Sequence, residues 1–150
     1  MGETKAAASP LRIEGYASLF GIADLNRDVV RPGAFARGWR QGGAKHIRML
    51  FQHDAGEPVG VWDEINEDAS GLFVRGRVLH AGPRGRASAE LIRQGAVDGL
   101  SIGFRTLRSV PRPGGGRELI EIDLWEVSIV TFPMLPQARL RVAAPAAMAA

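Results

Sequence analysis

The strongest constraint on the fold is a series of short segments in which apolar and polar residues alternate, each bounded by Gly, Pro, Asn or Asp. A period of two is typical of β-strands that bury one face. The segments with this pattern are Leu11–Leu19, Lys45–His53, Pro58–Ile65, Gly71–Leu79, Leu100–Val110 and Leu119–Val130. Because helical patterns do not alternate regularly with these segments, a doubly wound parallel sheet is excluded. The sequence therefore predicts a mainly β fold.

Two segments have helical character. Residues 32–43 (PGAFARGWRQGG) begin with a Pro, end with two Gly residues and carry Phe35 and Trp39 four positions apart, which predicts a short helix. A second helix is predicted over Arg86–Gln94, with Gly95 as its left-handed stop. A mainly antiparallel β-barrel with these helices on its flank, an α+β arrangement, accounts best for the order of the elements.

Length and composition indicate one domain. A chain of 150 residues with 45% hydrophobic and 23% charged residues is long enough for one core and is typical of globular proteins. We expect the domain to span residues 11–141, with a loose arm over 1–10 and a loose Ala-rich tail over 142–150. The chain has no Cys, which excludes a disulfide scaffold, a thiolate zinc site and a cysteine nucleophile.

Charge and hydropathy narrow the set of partners. The net charge is +3, but the Arg residues are spread along the chain, and no window holds the roughly five to eight clustered bases of a nucleic-acid patch. No apolar run approaches the ~18 residues of a membrane span, and the first ten residues lack the apolar stretch of a signal peptide. We therefore expect a cytosolic protein whose partner is neither a membrane nor a nucleic acid.

The sequence predicts neither a metal site nor a cofactor. His46 and His53 are seven positions apart and His80 lies in a turn, so the three histidines do not have the spacing of zinc ligands. The glycine clusters GPRG and GGG lack the Lys-Ser/Thr of a P-loop and the dinucleotide fingerprint. These clusters are interpreted as turns.

Two ionisable residues stand out in the strand patterns. His53 ends an apolar face, which fits a partly buried structural histidine as well as a general base. In the strand from Leu119, Glu126 shares the even-numbered face with Ile122, Leu124 and Ser128 and interrupts an apolar stripe. Because a buried, unpaired carboxylate is costly, Glu126 needs a partner. An arginine would make that pair structural, and a histidine would make it chemical.

Ser101 is the third unusual residue. It lies in GLSIGF between Gly99 and Gly103, and the side-chain-free positions predict open space where a substrate backbone could approach. The spacing matches G-x-S-x-G, but the nucleophile elbow of α/β-hydrolases requires a strand, a turn and then a helix. Here the serine follows a helix and opens a strand, so that family is excluded.

These three residues lie in motifs that resemble the prohead (procapsid) maturation proteases of HK97-type tailed phages and the related proteases of gene transfer agents. The resemblance runs from about Gly15 to Ala138, and its specificity comes from the order and spacing of the motifs. The matching motifs are GYASLFG, VVRPGAF, MLFQHD, PVGVW, GLFVRGRV, GAVDGLSIGF and LWEVSIVTFP.

The resemblance implies a serine protease with a β-barrel like that of the herpesvirus assemblins. His53 falls on the position of the family's base and Ser101 on that of its nucleophile. Glu126 lies in the strand that supplies a second histidine in the herpesvirus enzymes, which makes it the candidate third member. Asp54 is the rival carboxylate. It is the poorer candidate unless the strand ends at His53, because adjacent strand residues point to opposite faces.

The resemblance also implies partners and a location. The substrates would be the N-terminal scaffolding segment of the major capsid protein and the protease itself, cleaved inside the procapsid in the bacterial host cytoplasm. Self-association into a homo-oligomer is compatible with this role. Independently of the resemblance, a backbone N–H near the loop Pro133–Arg139 is one candidate for the oxyanion donor. The alternative is a catalytically idle procapsid scaffold component with the same fold.

Overall fold

The computed structural model describes residues 9–36 and 43–144. These ranges contain eight strands, one α-helix and a 3₁₀ turn at Ala44–His46. The strands are β1 (Leu11–Leu19), β2 (Val29–Val30), β3 (Arg48–Phe51), β4 (Asp54–Glu67), β5 (Gly71–Val78), β6 (Gly99–Pro111), β7 (Arg117–Val130) and β8 (Leu140–Val142), and the helix is α1 (Gly82–Arg93).

The eight strands form one mixed sheet. Its order is β2-β7-β3-β4-β5-β1-β8, and β6 pairs with β7 as well. Strand β7 pairs with three other strands, in antiparallel fashion with β6 and in parallel with β2 and β3. Five of the seven strand pairings in the described ranges are antiparallel and two are parallel, so the sheet is mainly antiparallel, as predicted. Within the described residues the sheet is not closed, and closure into a barrel stays a prediction.

One face of the sheet carries the core. Its largest fully buried side chains include Trp62, Phe35, Met49 and Ile129. Burying a side chain of this size contributes about 1.5–3 kcal/mol. The indole N–H of Trp62 donates to the backbone oxygen of Val127 at 3.2 Å, so the polar atom of this buried ring is satisfied. This bond ties the middle of β4 to the segment of β7 that follows Glu126.

The predicted mainly β fold is confirmed, as is the helix before Gly95. That glycine has φ = 76° and stops α1 in the left-handed conformation, as its sequence context indicates. The proposed helix over 32–43 differs: residues 32–36 form turns, and Trp39 lies outside the described residues. None of the helices in the described ranges is long and apolar enough to cross a membrane.

The predicted terminal segments are only partly covered. Residues 1–8 and 145–150 lie outside the described residues, so most of the predicted arm and tail is untested. Val142 ends strand β8 and pairs with Ile13 of β1. The domain limits of 11–141 therefore stay a prediction.

A bulge in β7 reverses the faces that simple alternation predicts. Gly103 pairs with Glu126 and the next residue, Phe104, pairs with Leu124, so Trp125 is an extra residue without a partner position on β6. Glu126 and Leu124 consequently lie on opposite faces. Leu124 is buried in the core, and the prediction that Glu126 interrupts the core stripe was wrong. The carboxylate lies on the outer face of the sheet.

Candidate active site

His53 occupies a tight turn and does not belong to a strand. Strand β3 ends at Phe51, β4 begins at Asp54, and these two residues pair, so Gln52 and His53 form a two-residue hairpin loop. Both have positive φ, 55° and 61°, as a type I′ turn requires. Such turns normally use Asn-Gly, and a left-handed non-glycine residue costs about 1–3 kcal/mol. The predicted strand Lys45–His53 is therefore too long at its C-terminal end.

Specific hydrogen bonds hold this strained turn. The backbone N–H of Gln52 donates to the backbone oxygen of Ile129 at 2.9 Å, which extends the β3–β7 pairing by one residue. The side chain of Gln52 exchanges two bonds with Thr131, at 2.6 and 3.2 Å. The N–H of His53 donates to Ser128 Oγ at 3.1 Å. The turn is thus tied to β7 and folds the imidazole back over the outer face of the sheet.

Glu126 is the partner of the imidazole. His53 Nδ1 lies 2.7 Å from Glu126 Oε2, and 14% of the carboxylate-bearing side chain is exposed, against 42% of the imidazole. A carboxylate only accepts hydrogen bonds, so Nδ1 carries the proton in this contact and Nε2 is left with a free lone pair. The partner of this partly buried carboxylate is therefore the histidine. The sequence left two kinds of partner open, an arginine for a structural pair and a histidine for a chemical one. The structure has the histidine.

Gly103 makes room for the carboxylate. It lies opposite Glu126 across the β6–β7 pairing, and a Cβ built on it would lie 2.6 Å from Glu126 Cγ and 2.7 Å from Cδ. The glycines beside Ser101 predict open space next to it. That space is present, but the Glu126 side chain fills it. The glycine permits the carboxylate to lie flat across the neighbouring strand.

The substitution Gly103→Ala should therefore displace the Glu126 carboxylate while the protein stays folded, because the end of a glutamate side chain can swing away. We expect a melting temperature close to wild type and a loss of activity approaching ~10²-fold, the scale of a misplacement of about 1 Å. Thermal denaturation and the rate of the peptide cleavage that the resemblance implies, measured on the same preparation, test both effects. A Gly103→Ala protein with wild-type activity would show that the carboxylate position is unimportant.

The Glu126 hydrogen bond raises the pKa of His53 above its usual 6.5. Partial burial of the ring opposes this effect, and the charge of Glu126 reinforces it. The direction is that expected for a histidine beside a carboxylate. The pair therefore stabilises the protonated imidazole. This is the form that a histidine base takes after it accepts a proton during a reaction.

Ser101 lies on the same outer face, one strand away. It pairs with Ser128 across β6 and β7, which places the two Cα atoms ~4.5–5.5 Å apart. Because Ser128 in turn contacts the N–H of His53, the serine lies beside the turn. In the described parts of the chain no group hydrogen-bonds to its hydroxyl. Catalytic hydrogen bonds are often long or poorly aligned in free enzymes.

An open cavity lies beside Ser101, which is itself 6% exposed. It runs between the end of β1 and the start of β6. Most of its lining is apolar, and two carboxylates lie within it. The lining residues are Ala17, Ser18, Leu19, Ile22, Asp24, Asp28, Val30, Leu100, Ser101, Ile102, Phe104, Leu119, Met134 and Leu135.

The structure brings in one residue that sequence reasoning missed. Ser128 is fully buried and its hydroxyl contacts both His53 N and Glu126 Oε1. The sequence feature that could have pointed to Ser128 is its position two residues after Glu126, which puts both side chains on one face of the strand. The rival Asp54 lies apart from this network: its Oδ1 accepts the N–H of Gly56 at 2.9 Å.

The polar centre on the outer face consists of an imidazole, a carboxylate and two hydroxyls. This composition suits nucleophilic acyl transfer, in which a serine attacks and a histidine moves the proton. In the described ranges, no group of three or more His, Asp or Glu side chains is placed to hold a metal ion.

Comparison with known proteins agrees with this chemistry. Residues 2–149 match the family model of the caudovirus prohead serine proteases. The prohead protease of Enterobacteria phage HK97 is 39% identical over 132 residues, or 83% of this chain. The chain spans 56% of the length of that relative.

Solved structures are similar in fold. The capsid assembly protease of bacteriophage T4 has a TM-score of 0.65 with 18% identity, covering 81% of each chain. The KSHV protease, solved with a hexapeptide phosphonate inhibitor, has a TM-score of 0.62 with 11% identity, covering 91% of this chain and 66% of that one. At these identities the similarity establishes the fold, and the family model establishes the relationship. The chain belongs to the caudovirus prohead serine protease family.

Proposed function

We propose that this chain is a serine endopeptidase in which Ser101 is the nucleophile, His53 the general base and Glu126 the residue that orients and balances the imidazole. Its proposed substrates are the N-terminal scaffolding segment of the major capsid protein and the protease chain itself, inside the procapsid in the host cytoplasm. The observation that carries the proposal is the 2.7 Å contact between His53 Nδ1 and Glu126 Oε2, one strand from Ser101. Family membership supports the reaction class.

The geometry supports a two-step reaction. Ser101 Oγ bonds to the scissile carbonyl carbon while its proton passes to His53 Nε2. The imidazolium then gives that proton to the amide nitrogen as the C–N bond breaks, which leaves an acyl-enzyme and a free amine. Water attacks the ester by the same proton transfers and restores the serine. Glu126 accepts the hydrogen bond from His53 Nδ1 throughout and stabilises the transient imidazolium.

The cavity supplies a place for the substrate. Ser101 is one of its lining residues, together with its strand neighbours Leu100 and Ile102, so a peptide bound at Ser101 lies next to the cavity. Ile22, Met134 and Leu25 extend the apolar surface at its rim, being 37%, 42% and 68% exposed. Leu25 N–H also donates to the Met134 backbone oxygen at 3.0 Å, so the two loops that flank the cavity are joined. An apolar side chain of a peptide fits this lining best.

Cleavage should rise with pH through an apparent pKa above 6.5, because His53 acts as a base only when neutral and its pKa is raised by Glu126. The contribution of the His53–Glu126 pair to folding stability has the opposite dependence on pH. Its contribution is complete below the unfolded pKa and is lost as the pH rises through the folded pKa. Initial rates between about pH 5 and 9 measure the first effect. A flat profile over that range would contradict a histidine base.

Co-expression with the capsid protein of the same virus tests the proposal directly. Intact-mass analysis should show a capsid protein shortened at its N-terminus and a shortened protease chain. The idle scaffold alternative predicts two full-length masses and co-assembly without cleavage. Cleavage of the capsid protein alone would support the endopeptidase and remove self-processing from the proposal.

A further inference from the structure

Ser128 lies at the centre of the polar network although its side chain has no exposed surface. A hydroxyl that is fully buried needs partners, since an unsatisfied polar group is destabilising. Ser128 has two, the backbone N–H of His53 and the carboxylate of Glu126, which belong to the two candidate catalytic residues other than the nucleophile. Its position in β7, two residues after Glu126, places its side chain on the same outer face as the carboxylate.

The directions of its hydrogen bonds are fixed by chemistry. A backbone N–H only donates, so Ser128 Oγ accepts from His53 N, at 3.1 Å. An ionised carboxylate only accepts, so the one proton of the hydroxyl goes to Glu126 Oε1. The hydroxyl thus uses its single donor on the carboxylate and one lone pair on the turn. It cannot rotate without giving up one of them.

Both carboxylate oxygens of Glu126 are consequently engaged, Oε2 by His53 Nδ1 and Oε1 by Ser128 Oγ. A carboxylate held at one oxygen only is free to rotate about its terminal bond. The hydroxyl removes that freedom and keeps Oε2 directed at the imidazole. The other bond fixes the backbone of the residue that bears the imidazole, in a turn whose φ of 61° is uncommon for residues other than glycine.

We propose that Ser128 is a positioning residue of the active site, whose hydroxyl bonds the carboxylate of Glu126 and the backbone of His53 together and so fixes the imidazole for proton transfer. The inference rests on the proposed function and adds a fourth residue to it. Ser128 itself makes no bond to the imidazole ring and does not line the cavity beside Ser101. It acts through the other two residues.

Ser128 could be considered a second nucleophile, since it faces Ser101 across the strand pair. Three observations argue against that role. Its side chain is fully buried, its proton is committed to Glu126, and it lies against the backbone N–H of His53. Ser101, in contrast, lines the cavity, and its hydroxyl has no hydrogen-bond partner within the described residues.

The chain offers a matched control. Ser88 in α1 is also fully buried, but its hydroxyl has no hydrogen-bond partner in the described part of the chain. Replacing a buried hydroxyl that bonds nothing should leave activity unchanged and stability equal or slightly higher. Comparing Ser128→Ala with Ser88→Ala therefore separates the loss of two defined bonds from the general effect of removing a buried hydroxyl.

The experiment measures kcat, KM and the pH midpoint of cleavage, together with the pKa of His53 from NMR titration of the imidazole. Ser128→Ala should lower kcat by up to ~10²-fold, with KM unchanged, because a displaced base slows chemistry without removing substrate contacts. The pKa of His53 should fall towards its usual value as the contact with Glu126 loosens. Ser88→Ala should change none of these quantities.

A second variant keeps the test decisive if Ser128→Ala fails to fold. Ser128→Cys preserves the approximate size of the side chain but presents a weak donor, and it should reproduce the loss of kcat and the fall in pKa. Unchanged kcat and an unchanged or raised pKa of His53 in these variants would overturn the inference. If the wild-type protein cleaves nothing, the NMR titration still decides the positioning role, and the proposed function alone fails.

Discussion

Ser101→Ala should yield a folded protein that no longer cleaves the capsid protein or itself. The hydroxyl makes no hydrogen bond to any described group, so removing it costs little packing and no bond. It also removes the only atom proposed to attack the carbonyl carbon. Loss of a serine nucleophile lowers kcat by about 10⁶-fold in enzymes of this type. The melting temperature should stay close to that of the wild type.

Two measurements establish the result independently of the natural substrate. Rates of cleavage with excess enzyme give the loss in the chemical step, and a fluorophosphonate probe followed by peptide mapping identifies the reactive serine. The probe should modify Ser101 in the wild type and nothing in Ser101→Ala. Ser109→Ala, on the same strand and away from the polar centre, is the matched control and should remain active. Residual activity within about tenfold of wild type, or labelling at Ser128, would assign the nucleophile elsewhere.

The strands could be predicted from sequence because each buries one face and so alternates with a period of two. Strand β5 spans Gly71–Val78 against a prediction of Gly71–Leu79, and β6 spans Gly99–Pro111 against Leu100–Val110. What alternation does not encode is which strands are neighbours. The parallel pairings of β7 with β2 and β3 join segments far apart in sequence, and no local pattern distinguishes them from antiparallel ones.

The site was partly predictable for a related reason. His53, Glu126 and Ser101 stood out because each places a polar group where the strand pattern calls for an apolar or small one. Their geometry depends on two local departures from the strand pattern: the left-handed turn at Gln52–His53 and the bulge at Trp125. Neither has the usual signal, since Gln-His replaces the common Asn-Gly and the bulge contains no glycine. If side chains are assigned to faces by strict alternation through either irregularity, they are placed on the wrong side of the sheet.

Ser128 was missed for a different reason. A serine within a strand is common, and its residue type carries no sign of the two bonds that it makes. The bonds become visible only when the turn after β3 is folded back over β7, which is a long-range event in sequence. Local reasoning thus selects the titratable residues of the candidate site, whereas Ser128, which we propose holds them together, becomes apparent only in the tertiary structure.

Glu126→Gln should keep the fold and lower kcat by about 10- to 10⁴-fold, the upper figure being the loss when a triad acid is replaced by its amide. An amide cannot balance an imidazolium, and it offers either an oxygen or an NH₂ group to His53 Nδ1. If the NH₂ group faces Nδ1, it favours the tautomer with the proton on Nε2, which cannot accept the proton of Ser101. The raised pKa of His53 should also fall, since its first cause is this carboxylate.

Asp54→Asn is the matched control, because it makes the same chemical change in the carboxylate that adjoins His53 in sequence. Asp54 accepts a bond from Gly56 and is exposed, so its replacement should leave kcat within a few-fold of the wild type. Melting temperature and single-turnover cleavage on both variants separate catalysis from stability. A Glu126→Gln protein that melts lower but cleaves normally when folded would make the carboxylate purely structural. If Asp54→Asn is the more damaging of the two, the third member is Asp54, and the turn at His53 must then rearrange when substrate binds, because in the free protein Nδ1 faces Glu126.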